Sequence, residues 1–425
     1  MTSENAQVLL PVEAESYVEH LHTFKVAEIG NYDWGRQHEM IEKINMQAVL
    51  NASVQEDEFI KDFLISYGKT DVLIKDLLTT EIWKEKIFTE LIEMEFEPKT
   101  TFPIYMVLFH EATLVNLLET TMYFKEMCES AENCIPDLLD YCYRKLTQLT
   151  ARTVEDFDDE EIDTNDALNS MSSASNMEEL EKQEKKLNFE ICIKSLSLLR
   201  YITDCIDNSP LSVTTRILNT LDIPILLVHL VENPPWTRQK DGKTFKYIDS
   251  KWQEISREDS LKLTKIEGQL RAYLTEIMLD QIPVLGELLR YLEHLSMMEP
   301  PAVKKELILE QLPEMRDNIL QANEGRWKKI AKKQSKTVFN PSESDMRAQA
   351  KRWAETYNFD AVESLIAEPP KCAMCGEEAS KRCSRCQNEW YCRRECQVNH
   401  WPKHKTACNL LQESLQKLKL QEKSS

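Results

Sequence analysis

The stretch CAMCGEEASKRCSRCQNEWYCRRECQVNHWPKHKTAC, residues 372–408, decides how the C-terminal part of this chain folds. It holds Cys372, Cys375, Cys383, Cys386, Cys392, Cys396, His404 and Cys408 in the spacing C-x2-C-x7-C-x2-C-x5-C-x3-C-x7-H-x3-C. Eight thiolate and imidazole donors in 37 residues are enough for two tetrahedral zinc sites of four ligands each. Seven cysteines are an odd number, and the closest pairs suit a metal knuckle better than a disulfide framework. A site closed by four protein ligands leaves no position for water or substrate, so both zincs read as structural. The segment has few aliphatic residues, and metal binding must therefore supply much of its folding free energy. His400 competes for the eighth position because it stands one helical turn after Cys396. His404 is preferred, one turn before Cys408.

Around this module the residues look basic, with Lys381, Arg382, Arg385, Arg393 and Arg394 close together. From Glu368 to Ser425 the apparent charge is +4, which falls to about +1 once seven thiolates and two zinc ions are counted. The whole chain carries −20. A nucleic-acid binder needs a basic surface, so nucleic acid is not an expected partner.

The rest of the 425 residues reads as helix. Only eight glycines occur, less than a third of the usual frequency of about 7%. A hydrophobic content of 42% can fill a core of domain size. Residues 8–152 show consecutive amphipathic helices. Ser53 with Glu56 resembles a capping box ahead of the apolar stripe Phe59, Ile60, Phe63, Leu64 and Tyr67, and Gly68 fits the helix end. A second helix carries Leu73, Leu77 and Leu78, a third carries Trp83, Ile87, Leu91 and Met94, and Pro103 opens a long apolar helix to about Tyr123.

Residues 153–177 change character, with eight acidic residues from Glu155 to Asp166 followed by a serine-rich run, and read as a solvated linker. A second helical part, 178–367, holds an extended or hairpin insert at 236–252 around Asp241-Gly242. It continues with helices at 260–298 and 301–333, and with another begun by Pro341 and Ser342. Residues 409–425 form a short helical tail. Consecutive short helices predict a mainly α fold, an irregular armadillo- or HEAT-like α-solenoid that ends in the small two-zinc module. Cys128, Cys134, Cys142, Cys192 and Cys205 sit in apolar patterns and read as buried free thiols. His20, His22, His38, His110, His229 and His294 are scattered, and no catalytic constellation emerges. No secretory signal and no apolar run long enough to span a bilayer is visible, so a cytoplasmic protein without membrane insertion is expected.

The ligand order and the run from Cys383 through Trp390, Tyr391, Trp401 and Pro402 to His404 resemble the MYND-type zinc finger. That resemblance implies an interleaved, cross-braced pairing: Cys372, Cys375, Cys392 and Cys396 on one zinc, and Cys383, Cys386, His404 and Cys408 on the other. It also implies an edge that binds short, often proline-containing peptides, at the positions of Ser384, Gln397 and Trp401. An indole face for a proline ring and an amide for peptide backbone are physically apt.

Beyond the finger, Leu10 to Glu15, Asn45 to Ala48, Thr101 to Met106, Leu199 to Cys205 and Arg352 to Tyr357 resemble a family of MYND-bearing assembly factors for the axonemal dynein arms of motile cilia. Near Gly268 to Arg271 the chain lacks a helical stretch of that family, as a shortened form would. The family implies a non-enzymatic cytoplasmic co-chaperone or adaptor, extending to the centrosome or ciliary base. Its implied partners are a leucine-rich-repeat dynein assembly factor, chaperones with their co-chaperones, and axonemal dynein chains as clients. Two other MYND settings compete. A lysine methyltransferase needs a strand-rich, glycine-bearing catalytic domain that this composition opposes. A nuclear corepressor adaptor would read Lys328, Lys329, Lys332, Lys333 and Lys336 as a nuclear signal, although their spacing fits a solvated helix face.

Overall fold

The computed structural model describes residues 8–54, 58–131, 133–151, 175–240, 243–248, 251–255, 312–342 and 345, together with 372–375, 377, 379, 381–385, 390–401, 404, 405 and 408. The first run of helices comprises α1 (Pro11–His20), α2 (Tyr32–Val54), α3 (Phe59–Ser66), α4 (Thr70–Ile82), α5 (Thr89–Glu93), α6 (Phe102–Thr121), α7 (Lys125–Ser130) and α8 (Ile135–Thr150). Then come α9 (Asn176–Asp204), α10 (Leu211–Thr215) and α11 (Ile223–Glu232). An antiparallel meander follows, of β1 (Thr237–Lys240), β2 (Lys243–Ile248) and β3 (Lys251–Ile255), and after it α12 (Met315–Asn323) and α13 (Trp327–Thr337). The body, residues 7–356, is one compact unit, and the finger belongs to a second.

Local chemistry explains the punctuation. Gly68 takes φ +59° after α3, where Lys69 N–H reaches the Leu64 carbonyl (2.8 Å) and Gly68 N–H the Ile65 carbonyl (3.0 Å), a Schellman ending. Ser53 departs from its expected capping role. It lies inside α2 and donates its hydroxyl to the Leu50 carbonyl (2.8 Å), while Glu56 lies outside the described residues. The expected third helix is also not separate, because a π-helical turn, Trp83–Phe88, joins α4 to α5 without a break. Trp83, Ile87 and Leu91 are buried, whereas Met94, just past the helix end, is 37% exposed. Farther on, α9 starts two residues before the expected boundary, because Ser175 accepts Glu178 N–H and the Glu178 carboxylate answers Ser175 N–H.

α6 runs through the middle of the body, packed against α2, α4 and α9, and 13 of its 20 residues are buried. α9 also packs on α8, so helices before and after the acidic stretch share one hydrophobic core. The meander adds to that core through Trp236 and Tyr247, with Tyr247 and Trp252 ringing Phe189 at centroid distances of 4.9 and 6.0 Å. Its Asp241-Gly242 turn lies outside the described residues, as do the expected helices at 260–298, the Gly268 to Arg271 region and the C-terminal tail. Cys128, Cys134, Cys142, Cys192 and Cys205 are all buried free thiols. Burial pushes the thiol pKa of Cys128, Cys134, Cys142 and Cys205 upward, which makes them poor nucleophiles. No single described helix is long and apolar enough to cross a membrane.

One carboxylate interrupts the apolar interior. Glu111 of α6 is fully buried, forms ion pairs with Lys84 (2.8 Å) and Lys145 (2.7 Å) and accepts from the Tyr141 hydroxyl (2.8 Å), and Lys84 also pairs with Glu184 of α9 (3.0 Å). Burial pushes the Glu111 carboxyl up, but the two ammonium groups outweigh it and hold the pKa at about 2. Beside this cluster, His38 and His110 meet at 2.6 Å between Nδ1 atoms, and His110 Nε2 stands 3.1 Å from the Asp76 carboxylate. Trp34 stacks on His38, and burial keeps the His38 pKa well below its ordinary value.

α13 docks through Ile330, Ala331 and Gln334. The Gln334 side chain accepts from Trp83 Nε1 (3.0 Å) and donates to the carbonyls of Val26 (3.2 Å) and Ile29 (3.1 Å). Gly30 lies against the chain just after α13. It has φ +81°, and a Cβ there would meet Val338 Cγ1 at 2.7 Å.

Two stability outcomes follow from these contacts. Glu111→Gln leaves two buried ammonium groups underpaired and should cost about 3–5 kcal/mol in urea unfolding at pH 7. Because the folded pKa of about 2 lies below the ordinary 4.5, this stabilisation is complete above pH 4.5 and lost as pH falls toward 2. The gap between wild type and variant should therefore narrow when unfolding is repeated across that range. Gly30→Ala forces both a left-handed alanine and a clash, and should lower stability by about 2–4 kcal/mol in the same assay.

Candidate metal centre

The finger is built on a minimal hairpin. β4 (Lys381–Arg382) pairs antiparallel with β5 (Trp390–Tyr391), Lys381 opposite Tyr391 and Arg382 opposite Trp390. The Cys372–Cys375 knuckle closes on this hairpin, with Ala373 N–H donating to the Trp390 carbonyl (3.0 Å) and Cys372 N–H to that of Glu377 (2.7 Å). Residues 394–401 form a helix, which puts Cys396 and His400 one turn apart on one face and Gln397 and Trp401 on the next.

Two donor sets result. Cys372, Cys375, Cys392 and Cys396 gather with all their sulfurs within 4.8 Å of one another, and Cys383, His404 and Cys408 do the same. The sequence order therefore interleaves between the sets. Within the first, Sγ–Sγ separations are 3.5 Å for Cys375–Cys392, 3.5 Å for Cys392–Cys396 and 3.9 Å for Cys375–Cys396. In the second, Cys383 and Cys408 are 3.9 Å apart. A tetrahedron with zinc–sulfur bonds of about 2.3 Å has edges of about 3.8 Å, so these spacings fit zinc and are far too long for disulfides. Cys386 lies outside the described residues. The donor chemistry fits two zinc ions, one in each set.

The packing around the ligands is small but specific. Cys372, Ala379, Cys383, Tyr391 and Cys408 are buried together, with Trp390 and Trp401 packed against them. Sequence reasoning passed over Tyr391, which is 2% exposed. Its hydroxyl shares a 3.0 Å hydrogen bond with His400 Nδ1, and its ring meets the His404 ring edge-on at 6.3 Å. The available signal was its place directly before Cys392, inward on the strand that carries that ligand. His400 thus serves Tyr391, while His404, 4% exposed, joins the donor set. Of the three candidate peptide contacts, Ser384 is exposed after β4, and Gln397 and Trp401 are half-buried on the helix. Trp401 meets His404 edge-on at 6.0 Å, so the indole both covers the ligand and presents a remaining face outward. Around the thiolates stand cations, with Arg382 over the Trp390 ring at 5.2 Å and Arg393 3.9 Å from Glu377.

With this small apolar cluster among its described residues, the finger depends on its metal. Dialysis against a strong zinc chelator should release two zinc ions per chain, measured by elemental mass spectrometry. The environment of Trp390 and Trp401 should loosen in near-ultraviolet circular dichroism, with most of the helical far-ultraviolet signal retained by the body.

The MYND finger family matches residues 372–408. The chain is 30% identical to a zinc finger MYND domain-containing protein 10 homolog of Drosophila melanogaster, over 94% of this chain and 98% of that protein. It is also 45% identical to Tudor domain-containing protein 1 of Mus musculus, but over only 11% of this chain and 4% of that protein. No solved structure matches. The mouse match is short enough to be a shared module, whereas the fly match runs through helical body and finger alike. The chain belongs to the zinc finger MYND domain-containing protein 10 family.

Proposed function

We propose that this chain is a non-enzymatic cytoplasmic adaptor and co-chaperone that helps preassemble axonemal dynein arms. In this reading the finger recruits a leucine-rich-repeat assembly factor, and the helical body holds chaperones or dynein chains as clients. The observation that carries the adaptor reading is the first donor set. Its four thiolates close a tetrahedron, so the metal there has no position at which to activate water or substrate. What remains to the finger is its surface. Gln397 and Trp401 share a helix face, with an amide beside a partly exposed indole, and that pairing suits a peptide that presents a proline ring and backbone groups. The dynein-arm setting is supported by the body segments from Leu10 to Glu15 through Arg352 to Tyr357, which resemble assembly factors of that kind.

Affinity capture of the full chain from cells building motile cilia tests this. Trp401→Ala should lose the finger's partner by about tenfold or more, as expected when a buried aromatic anchor is removed, while body-bound partners are retained. Cys383→Ala should lose it entirely. If both variants keep every partner, the finger does not recruit. Imaging of the tagged chain checks the setting, and predominant nuclear accumulation would contradict it.

A further inference from the structure

The surface that departs furthest from ordinary helix chemistry lies on α13. Arg326, Lys328, Lys329, Lys332, Lys333 and Lys336 are all exposed, and no carboxylate occurs between Gly325 and Pro341. At 3.6 residues per turn, Ile330, Ala331 and Gln334 point inward and the five lysines cover the opposite half of the helix, with Arg326 at its N-cap. Among the described residues none of the six forms an ion pair, and Arg326 only donates to the Ala322 carbonyl (3.4 Å). Like charges stand at i,i+4 in Lys328 with Lys332, Lys329 with Lys333, and Lys332 with Lys336, each pair unfavourable to the helix. Arg326, Lys328 and Lys329 also sit at the N-terminal end, where the helix dipole disfavours cations. Such an arrangement weakens the helix and does nothing for the core behind it. A local rule broken without structural gain marks a functional surface.

We propose that the outer face of α13 is a docking surface for a short acidic polypeptide segment of a partner protein. The class of partner follows from the scale of the charge. α13 has 11 residues and is about 16 Å long, roughly two Debye lengths at physiological salt. A short acidic segment sees this local field alone. A nucleic-acid duplex or an anionic bilayer extends beyond it and meets a molecule whose net charge is −20. The cationic surface also has a defined edge, for Glu28 and Asp345 stand on the groove that runs beside Lys333, Val338 and Tyr32. This surface is independent of the finger's role proposed above.

The test uses the full chain with its zinc bound and a fluorescein-labelled polyglutamate peptide followed by anisotropy at low and physiological ionic strength. Charge reversal in K329E/K332E/K336E should weaken binding by about tenfold or more, and neutralisation in K329Q/K332Q/K336Q by roughly threefold, with both differences shrinking as salt rises. Each reversal places a carboxylate beside a remaining lysine, so the helix is retained, and far-ultraviolet circular dichroism checks this. Unchanged binding by the reversed variant overturns the proposal. So does tighter binding of an oligothymidylate or of phosphatidylserine vesicles than of the peptide. A further variant carries Asn or Gln in place of the acids between Glu155 and Asp166. If the peptide binds only to that variant, the face belongs to the chain's own acidic stretch and the proposal of a partner fails. Equal binding with and without those acids supports it.

Discussion

The body is organised around a carboxylate buried away from solvent. Glu111 sits on α6, in the middle of the body, and its two oxygens are met by lysines from the π-helical turn and from α8, with Tyr141 adding a third donor. Through Lys84 the same cluster reaches Glu184 on α9. Four segments are therefore held in one register by groups that tolerate little displacement, since a buried charge separated from its partners is far costlier than a lost apolar contact. Hydrophobic surfaces alone would let these helices slide along one another. The turn at Trp83–Phe88 carries Lys84, which meets the carboxylate at 2.8 Å.

The finger solves the same problem by the opposite route. Its fully apolar interior amounts to a few side chains around Tyr391, too little to order about 37 residues. Two cations gather thiolates from distant points in the sequence, and the interleaved order means that neither donor set can form without fixing the loops of the other. Tyr391 ties the sets together, standing directly before Cys392 of the first and touching His404 of the second by ring contact. In the body, charge is an exception within an apolar core. In the finger it is the core.

Much of this was readable in the sequence, and the failures have local causes. Ligand spacing pointed to the seven described donors that gather in two sets, and scarce glycine with helical periodicity pointed to the mainly α body. Gly68 ends a helix as its position suggested. Ser53 misled because a serine inside a helix can turn its hydroxyl back to its own backbone. The break expected before Trp83 does not exist, since a π turn adds a residue without any glycine or proline to announce it. Glu111, Lys84 and Lys145 carried no signal at all. Each looks like an ordinary surface charge until distant helices bring them within 3 Å. Pairings of that kind depend on tertiary approach, which periodicity does not encode. The five lysines of α13 were visible from the start, but that none of them has an ion-pair partner among the described residues emerged only from the fold.

The packing of α9 across α6 and α8 has a consequence for the chain's connectivity. Helices on the two sides of residues 152–174 are joined by direct packing. Phe189, Leu198 and Leu199 are buried in the same cluster as Leu114, Leu138 and Leu146 whether or not the chain between them is intact. A protease cut within residues 152–174 would thus yield a nicked protein that stays together, and the two polypeptides could be supplied separately and reassemble.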